Sequence, residues 1–379
     1  MSDQPVPAAE PRRILALARQ DRNAARRELS RMTIGDQVAL VCESPLPARR
    51  ELLDLLPAPE LVIPELPEAE LCFTAKAIGL PDAGWILAHA TPEQIVACVD
   101  LDAWSQTDLV PDRARLGAWL AVIADAGEPA LLASARSLDP ELVVLWLRDR
   151  LEVWLKPNED DWVPPDGATT LEGQFFFRAR RDGDDLEDVR PFLDVLFREE
   201  YWTYFRLLQG VTWELESDTE EWALRWRSGR LEDLGFPTLD EALALYSILP
   251  ARALDALPQA PAPPPETELR LPIWMPRLPV SSSATRSLWR ALAALAPDER
   301  RTYLHAFLTL ANKVAVADKL PLGDADSIPQ AIEKAASLAS RGLDHLTAAH
   351  GVSPTEALRR ASLDRLFRIG FTLAQRESA

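Results

Sequence analysis

Two segments of this chain, ILAHATPEQIVACVDL from Ile86 and LLASARSLDPELVVLWL from Leu131, share one pattern: a short apolar helix, then a second helix that opens on proline. Aligning them sets Pro92 opposite Pro140, 48 residues apart, which is room for two or three helices with their turns. A unit of that size cannot hide its own apolar face, so neighbouring units must stack on it. The fold expected is all-α, with a stacked, solenoid-like helical-repeat N-terminal region, a C-terminal helical bundle and at most a small β element. An irregular helical bundle is the alternative.

Helix starts are marked by residues that satisfy the free N–H groups of a first turn. In Thr91-Pro92-Glu93-Gln94 the threonine caps, proline suits the first helical position and glutamine reaches back. Ser353-Pro354-Thr355-Glu356 repeats the pattern, Thr238 with Glu241 gives it without proline, and Asp139 with Pro140 and Glu141 gives a variant. Near the end, Leu363, Leu366, Phe367, Gly370 and Ala374 fall along one face at steps of three and four, so that helix buries one side. Strand-like alternation is scarce, the clearest candidates being GQFFFRAR around Phe175 to Phe177 and ELRLPIW around Leu269 to Trp274.

Residues 250 to 283 carry nine prolines, including PAPPP from Pro261, which remove backbone donors and fix extended conformations. The expected organisation is a helical-repeat domain over 1–156, an acidic, aromatic-rich helical region over 157–250, a Pro-rich connection over 251–284 and a C-terminal helical domain over 285–379. Within the connection LRLPIWMPRLPV is too apolar for a free tether, so Ile273, Trp274 and Met275 are expected to dock on a domain surface.

Charge narrows the partners. Basic residues number 41 and acidic 59, a net −18 that repels a phosphate backbone and argues against nucleic acid. Seven Arg face four acids in residues 1–31 and five face three in 350–379, leaving −23 between. The basic ends either fold back on that acidic middle or meet a membrane surface. Cys42, Cys72 and Cys98 are odd in number and set among apolar neighbours, which implies neither a disulfide framework nor a zinc site. The opening MSDQPVPAAEPRR lacks the apolar core of a secretory signal, and runs such as LGAWLAVIA from Leu116 fall short of the roughly 20 residues of a membrane span. A cytoplasmic protein without a transmembrane segment is expected.

The middle region holds the candidate partner-binding residues: Tyr201, Trp202, Trp222 and Trp226, with Tyr204, Phe205 and Trp213 nearby. Trp222 and Trp226 share a helix face, as do Tyr201 and Phe205, a spacing that serves either an ordinary core or a partner pocket. Candidate contacts for an anionic or acidic ligand are Arg178, Arg180, Arg181, Glu199 and Glu200, although arginines beside DGDDLED also have acids to pair with. Glu214, Glu216, Asp218, Glu220 and Glu221, like DLDAW from Asp100, lack the glycine-centred loop of a calcium site and read as solvated acidic faces. His89, His305, His345 and His350 include no pair three or four apart, so no metal is expected. Serines 281–283 lack the glycines of a nucleophile elbow, no Gly-rich phosphate loop is present, and no cofactor is implied.

GLPDAGWILAHATPEQIVACVDLDAW from Gly79, GFPTLDEALALY from Gly235, LANKVAVAD from Leu310 and LDRLFRIG from Leu363 resemble an uncharacterised bacterial family, a domain of unknown function, over about four-fifths of the chain. The resemblance implies a bacterial, mostly helical protein and transfers no catalytic residue. PEQIV and PELVV are similar to the helical cytoplasmic domains of the MgtE magnesium transporter and the flagellar motor switch protein, a likeness that carries over neither transport nor motor function. The function expected is a non-enzymatic scaffold or regulatory module that binds another protein. The competing expectations are an enzyme or small-ligand sensor with a pocket between the middle region and the C-terminal domain, and a peripheral membrane regulator acting through the Arg-rich first helix.

Overall fold

The computed structural model describes residues 10–158, 161–181, 186–187, 189–259, 273–274 and 278–378, the last for its backbone alone. The protein is all-α with one small sheet, 68% helical. Its contacts divide it into two compact units, Met1–Ser228 with Pro272–Trp274, and Gly229–Leu271 with Met275–Ala379.

The first unit opens with α1 (Glu10–Gln20), α2 (Arg22–Leu29), α3 (Ile34–Cys42), α4 (Leu46–Leu55), the single turn α5 (Pro59–Val62) and α6 (Glu68–Ile78). The two look-alike segments follow as α7 (Gly84–Leu87) with α8 (Pro92–Asp102), then, after α9 (Arg113–Asp125), α10 (Glu128–Ser137) with α11 (Pro140–Arg150). Both second helices have 11 residues and start on proline, whereas the first helices differ, with four residues in α7 and ten in α10. Stacking is continuous: α4 packs on α6, α6 on α8 and α8 on α10, while α7 packs on α9 and α9 on α11. Trp119 and Trp146, both buried, fill the centre of the stack.

Capping holds these starts in place. Thr91 Oγ1 accepts from the Gln94 amide at 3.2 Å, and Gln94 Oε1 accepts in return from the Thr91 amide at 2.9 Å. Gln94 has a second task, donating through Nε2 to the carbonyls of Ile63 (2.9 Å), Pro64 (3.3 Å) and Leu66 (2.7 Å). Asp139 departs from the expectation: α11 starts after it, but its side chain makes no capping bond and is buried. DLDAW departs too. Asp100 is buried and the Asp102 side chain is only 4% exposed, and Asp102 receives Lys76 Nζ at 2.5 Å and the Trp119 indole N–H at 3.0 Å.

After α11 the chain runs directly into β1 (Leu151–Leu155), which pairs antiparallel with β2 (Phe175–Ala179), Val153 opposite Phe177. The expected strand around Phe175 is present, and its partner LEVWL lies where the repeat domain was expected to remain helical. Of ELRLPIW, Ile273 and Trp274 are in no strand; 268–272 lie outside the described residues, as does Met275. Ile273 is buried, and the Trp274 amide donates to Glu70 Oε1 at 3.1 Å. Glu70 is itself half of a buried ion pair with Arg49 at 2.8 Å. Three further helices, α12 (Arg190–Glu199), α13 (Tyr201–Trp213) and α14 (Glu216–Asp233), continue the chain; α10 packs on α12 and α11 on α13.

The second unit contains α15 (Leu239–Leu243), α16 (Ala251–Leu254), α17 (Ser287–Ala293), α18 (Pro297–Ala317), α19 (Ser327–His350), α20 (Pro354–Arg360) and α21 (Leu363–Ser378). Thr238 and Ser353 cap α15 and α20 as expected, and Gly351 ends α19 in the left-handed conformation at φ 63°. Leu363, Leu366, Phe367 and Gly370 are buried against α19. The closeness of that crossing is set by glycine: a Cβ at Gly342 would stand 1.9 Å from the Leu366 carbonyl oxygen, and one at Gly370 1.9 Å from that of Leu338. His345 Nε2 meets Asp255 Oδ1 at 2.7 Å and His350 meets the Asp255 carbonyl, so both histidines hold the end of α16.

Candidate functional site

The aromatic region is built on α13, whose buried face is Tyr204, Leu207, Leu208 and Val211. Its opposite face carries Trp202, Arg206, Gln209 and Trp213, all exposed. At 100° and 1.5 Å per residue, Trp202 and Trp213 lie in line about 16 Å apart, one at each end of the helix. They are 77% and 54% exposed, a large apolar area left in water. From Trp202 the rings step inward: Trp202 to Phe205 at 6.1 Å between centroids, then Phe205 to Phe175 at 5.3 Å, and Phe175 is fully buried. Tyr201 is half-buried beside them. Tyr204 anchors the helix, donating its hydroxyl to Glu172 Oε2 at 3.1 Å; burial, then that carboxylate, pushes the phenol well above its usual pKa. At the far end Arg148 Nη2 donates to the carbonyls of Gly210 (2.8 Å) and Glu214 (2.7 Å), which fixes where Trp213 sits.

Beyond the turn, Leu215 is 66% exposed and α14 presents Trp222 and Trp226, stacked at 6.0 Å with 26° between planes. Arg225 lies over the Trp222 ring at 5.2 Å. The inner face of α14 is Thr219, Ala223 and Arg227, and Arg227 Nε donates to the Asp100 carbonyl at 2.8 Å while its guanidinium covers Trp104. Arg113 grips both Glu216 and Glu220, the latter at 3.0 Å, and the hydrogen bond to Arg113 holds Glu216 below the usual carboxylate range. Two of the five acids read as solvated are thus tied down, and Glu214, Asp218 and Glu221 are exposed. Leu215 joins the exposed Trp202, Trp213, Trp222 and Trp226 that the sequence already offered, and the eleven-residue step from Trp202 to Trp213 is what sets those two in line.

Residues 26–376 match the model of a family of unknown function, DUF6178. The chain belongs to that family. No curated protein and no solved structure matches it.

The remaining candidate residues of this DUF6178 chain are dispersed. Arg178 pairs with Glu152 at 2.7 Å and stands over the Trp154 ring, Arg180 donates to the Leu151 carbonyl at 3.1 Å, and Arg181, largely exposed, reaches Asp149 at 3.9 Å. Glu200 takes Arg136 Nε at 2.7 Å in the one-residue break between α12 and α13, while Glu199 points to solvent. The Arg-rich start also turns charge onto the protein itself: Arg13 pairs with Glu10 and Glu28, and Arg22 and Arg26 donate to the Asp54 carbonyl. Among the described residues there is no group of three His, Cys, Asp or Glu able to hold a metal, and no helix long and apolar enough to cross a membrane.

Proposed function

We propose that this DUF6178 protein is a helical scaffold or regulatory module that binds another protein through the tryptophan-bearing face of α13 and α14. The observation that carries this reading is the in-line exposure of Trp202 and Trp213 on a helix whose other face is fixed in the core. Tryptophans are favoured anchors of protein interfaces, because each offers a large apolar area at little entropic cost and a donor at its rim. Three buried, free cysteines fit a reducing, cytoplasmic setting.

The test is cross-linked capture from the native cell, comparing wild type with Trp202→Ala/Trp222→Ala. Each anchor of this kind contributes on the order of 2 kcal/mol, so a specific partner should be lost by more than about tenfold. A partner set unchanged by the double substitution would overturn the assignment of this face.

A further inference from the structure

Resting on that reading, we infer that the occupant of the α13–α14 face is a cationic amphipathic helix of the partner protein. Between Glu199 and Ser228 the chain carries seven acidic residues against three arginines. Glu200, Glu216 and Glu220 are committed to arginines of the same unit, which leaves Glu199, Glu214, Asp218 and Glu221 exposed around the tryptophans. Of the three arginines Arg227 is buried, Arg225 is laid over Trp222 and Arg206, exposed between Trp202 and Trp213, pairs with Glu141 at 3.7 Å, so the four exposed carboxylates outnumber the two exposed guanidinium groups.

The apolar spacing matches the same occupant. Trp202 and Trp213 are about three helical turns apart, the length over which a partner helix presents apolar side chains at i, i+4, i+7 and i+11. Trp222 and Trp226 repeat one step of that period, with Asp218 and Glu221 flanking them on α14 where lysines or arginines bordering the partner's apolar stripe would find counter-charges. The same carboxylates repel anionic lipid and nucleic acid.

Binding of two synthetic 21-residue helices to the full-length chain tests this by fluorescence anisotropy: one with leucines in an i, i+4, i+7, i+11 stripe and lysines elsewhere, the other with glutamate in place of lysine. The lysine helix should bind at least tenfold more tightly than the glutamate helix. Trp222→Ala/Trp226→Ala should lose at least tenfold of that affinity, and Asp218→Lys/Glu221→Lys, confined to exposed positions, should reverse the preference. Equal binding of both helices, or lysine-helix binding indifferent to both double variants, would overturn the charge assignment. So would tighter association with phosphatidylcholine vesicles than with the lysine helix. Cellular capture that still depends on Trp202 and Trp222 would then leave the interaction face standing, whereas capture indifferent to them removes the face itself.

Discussion

Gln94 shows how one side chain can serve two elements. Its oxygen closes the capping box of α8 and its amide nitrogen serves three carbonyls of the Ile63–Leu66 turn, all while 2% exposed. Gln94→Ala removes a cap and strands buried acceptors, and the expected loss is about 2–4 kcal/mol in urea unfolding. Gln94→Glu keeps the capping oxygen and removes the donor, so it should recover the cap and retain the cost at the turn. Arg49 is similar in kind: with its partner Glu70 buried, Arg49→Ala leaves a carboxylate without its counter-ion, a loss of about 3–5 kcal/mol by the same measurement. His305 supplies a pH signature. Burial, then the charge of Arg301, lowers its pKa below the usual 6.5. The unfolded chain therefore takes up that proton first: the stability contributed is full above 6.5 and is lost as pH falls through the depressed folded value. His305→Gln should make urea midpoints fall less steeply on acidification across that window.

At the scale of elements the crossing of α19 and α21 is the tightest joint. Gly342 faces the backbone of α21 and Gly370 that of α19, so a methyl at either position meets a carbonyl at 1.9 Å and must separate the helices. Alanine gains about 1 kcal/mol in an unconstrained helix, yet here Gly342→Ala and Gly370→Ala should each lower thermal stability, and the double variant should cost less than the sum. Element starts were legible in the sequence where the chemistry is local. Thr91, Thr238 and Ser353 announce their helices because cap and partner lie three residues apart, and Gly351 ends α19 for an equally local reason. What was not legible depends on distant partners. Asp100 and Asp102 look like surface acids until Lys76, Trp119 and Arg227 are folded around them, and LEVWL continues an apolar helical pattern until Phe175–Ala179 supplies the other side of a ladder. The candidate site divides in the same way: periodicity pairs Trp222 with Trp226, but only packing decides that they face outward while Tyr204 faces in.

Over the whole molecule, the net charge of −18 sets how its surface meets ions. Trp202, Trp213, Trp222 and Trp226 are exposed among carboxylates, whereas Trp119 and Trp146 are sealed. Cesium should quench the exposed set more strongly than iodide in Stern–Volmer measurements, with the gap narrowing as salt screens the surface over about 10 Å at 0.1 M. Equal quenching would mean that the acids do not govern the potential at these rings.

The three cysteines have a practical consequence. Cys42, Cys72 and Cys98 all belong to the first unit, all are buried, and burial raises the thiols of Cys42 and Cys98 well above their usual pKa; the second unit has none. A maleimide dye therefore reacts only when the N-terminal stack opens, and its labelling rate is a clock for that event, blind to whatever the C-terminal helices do.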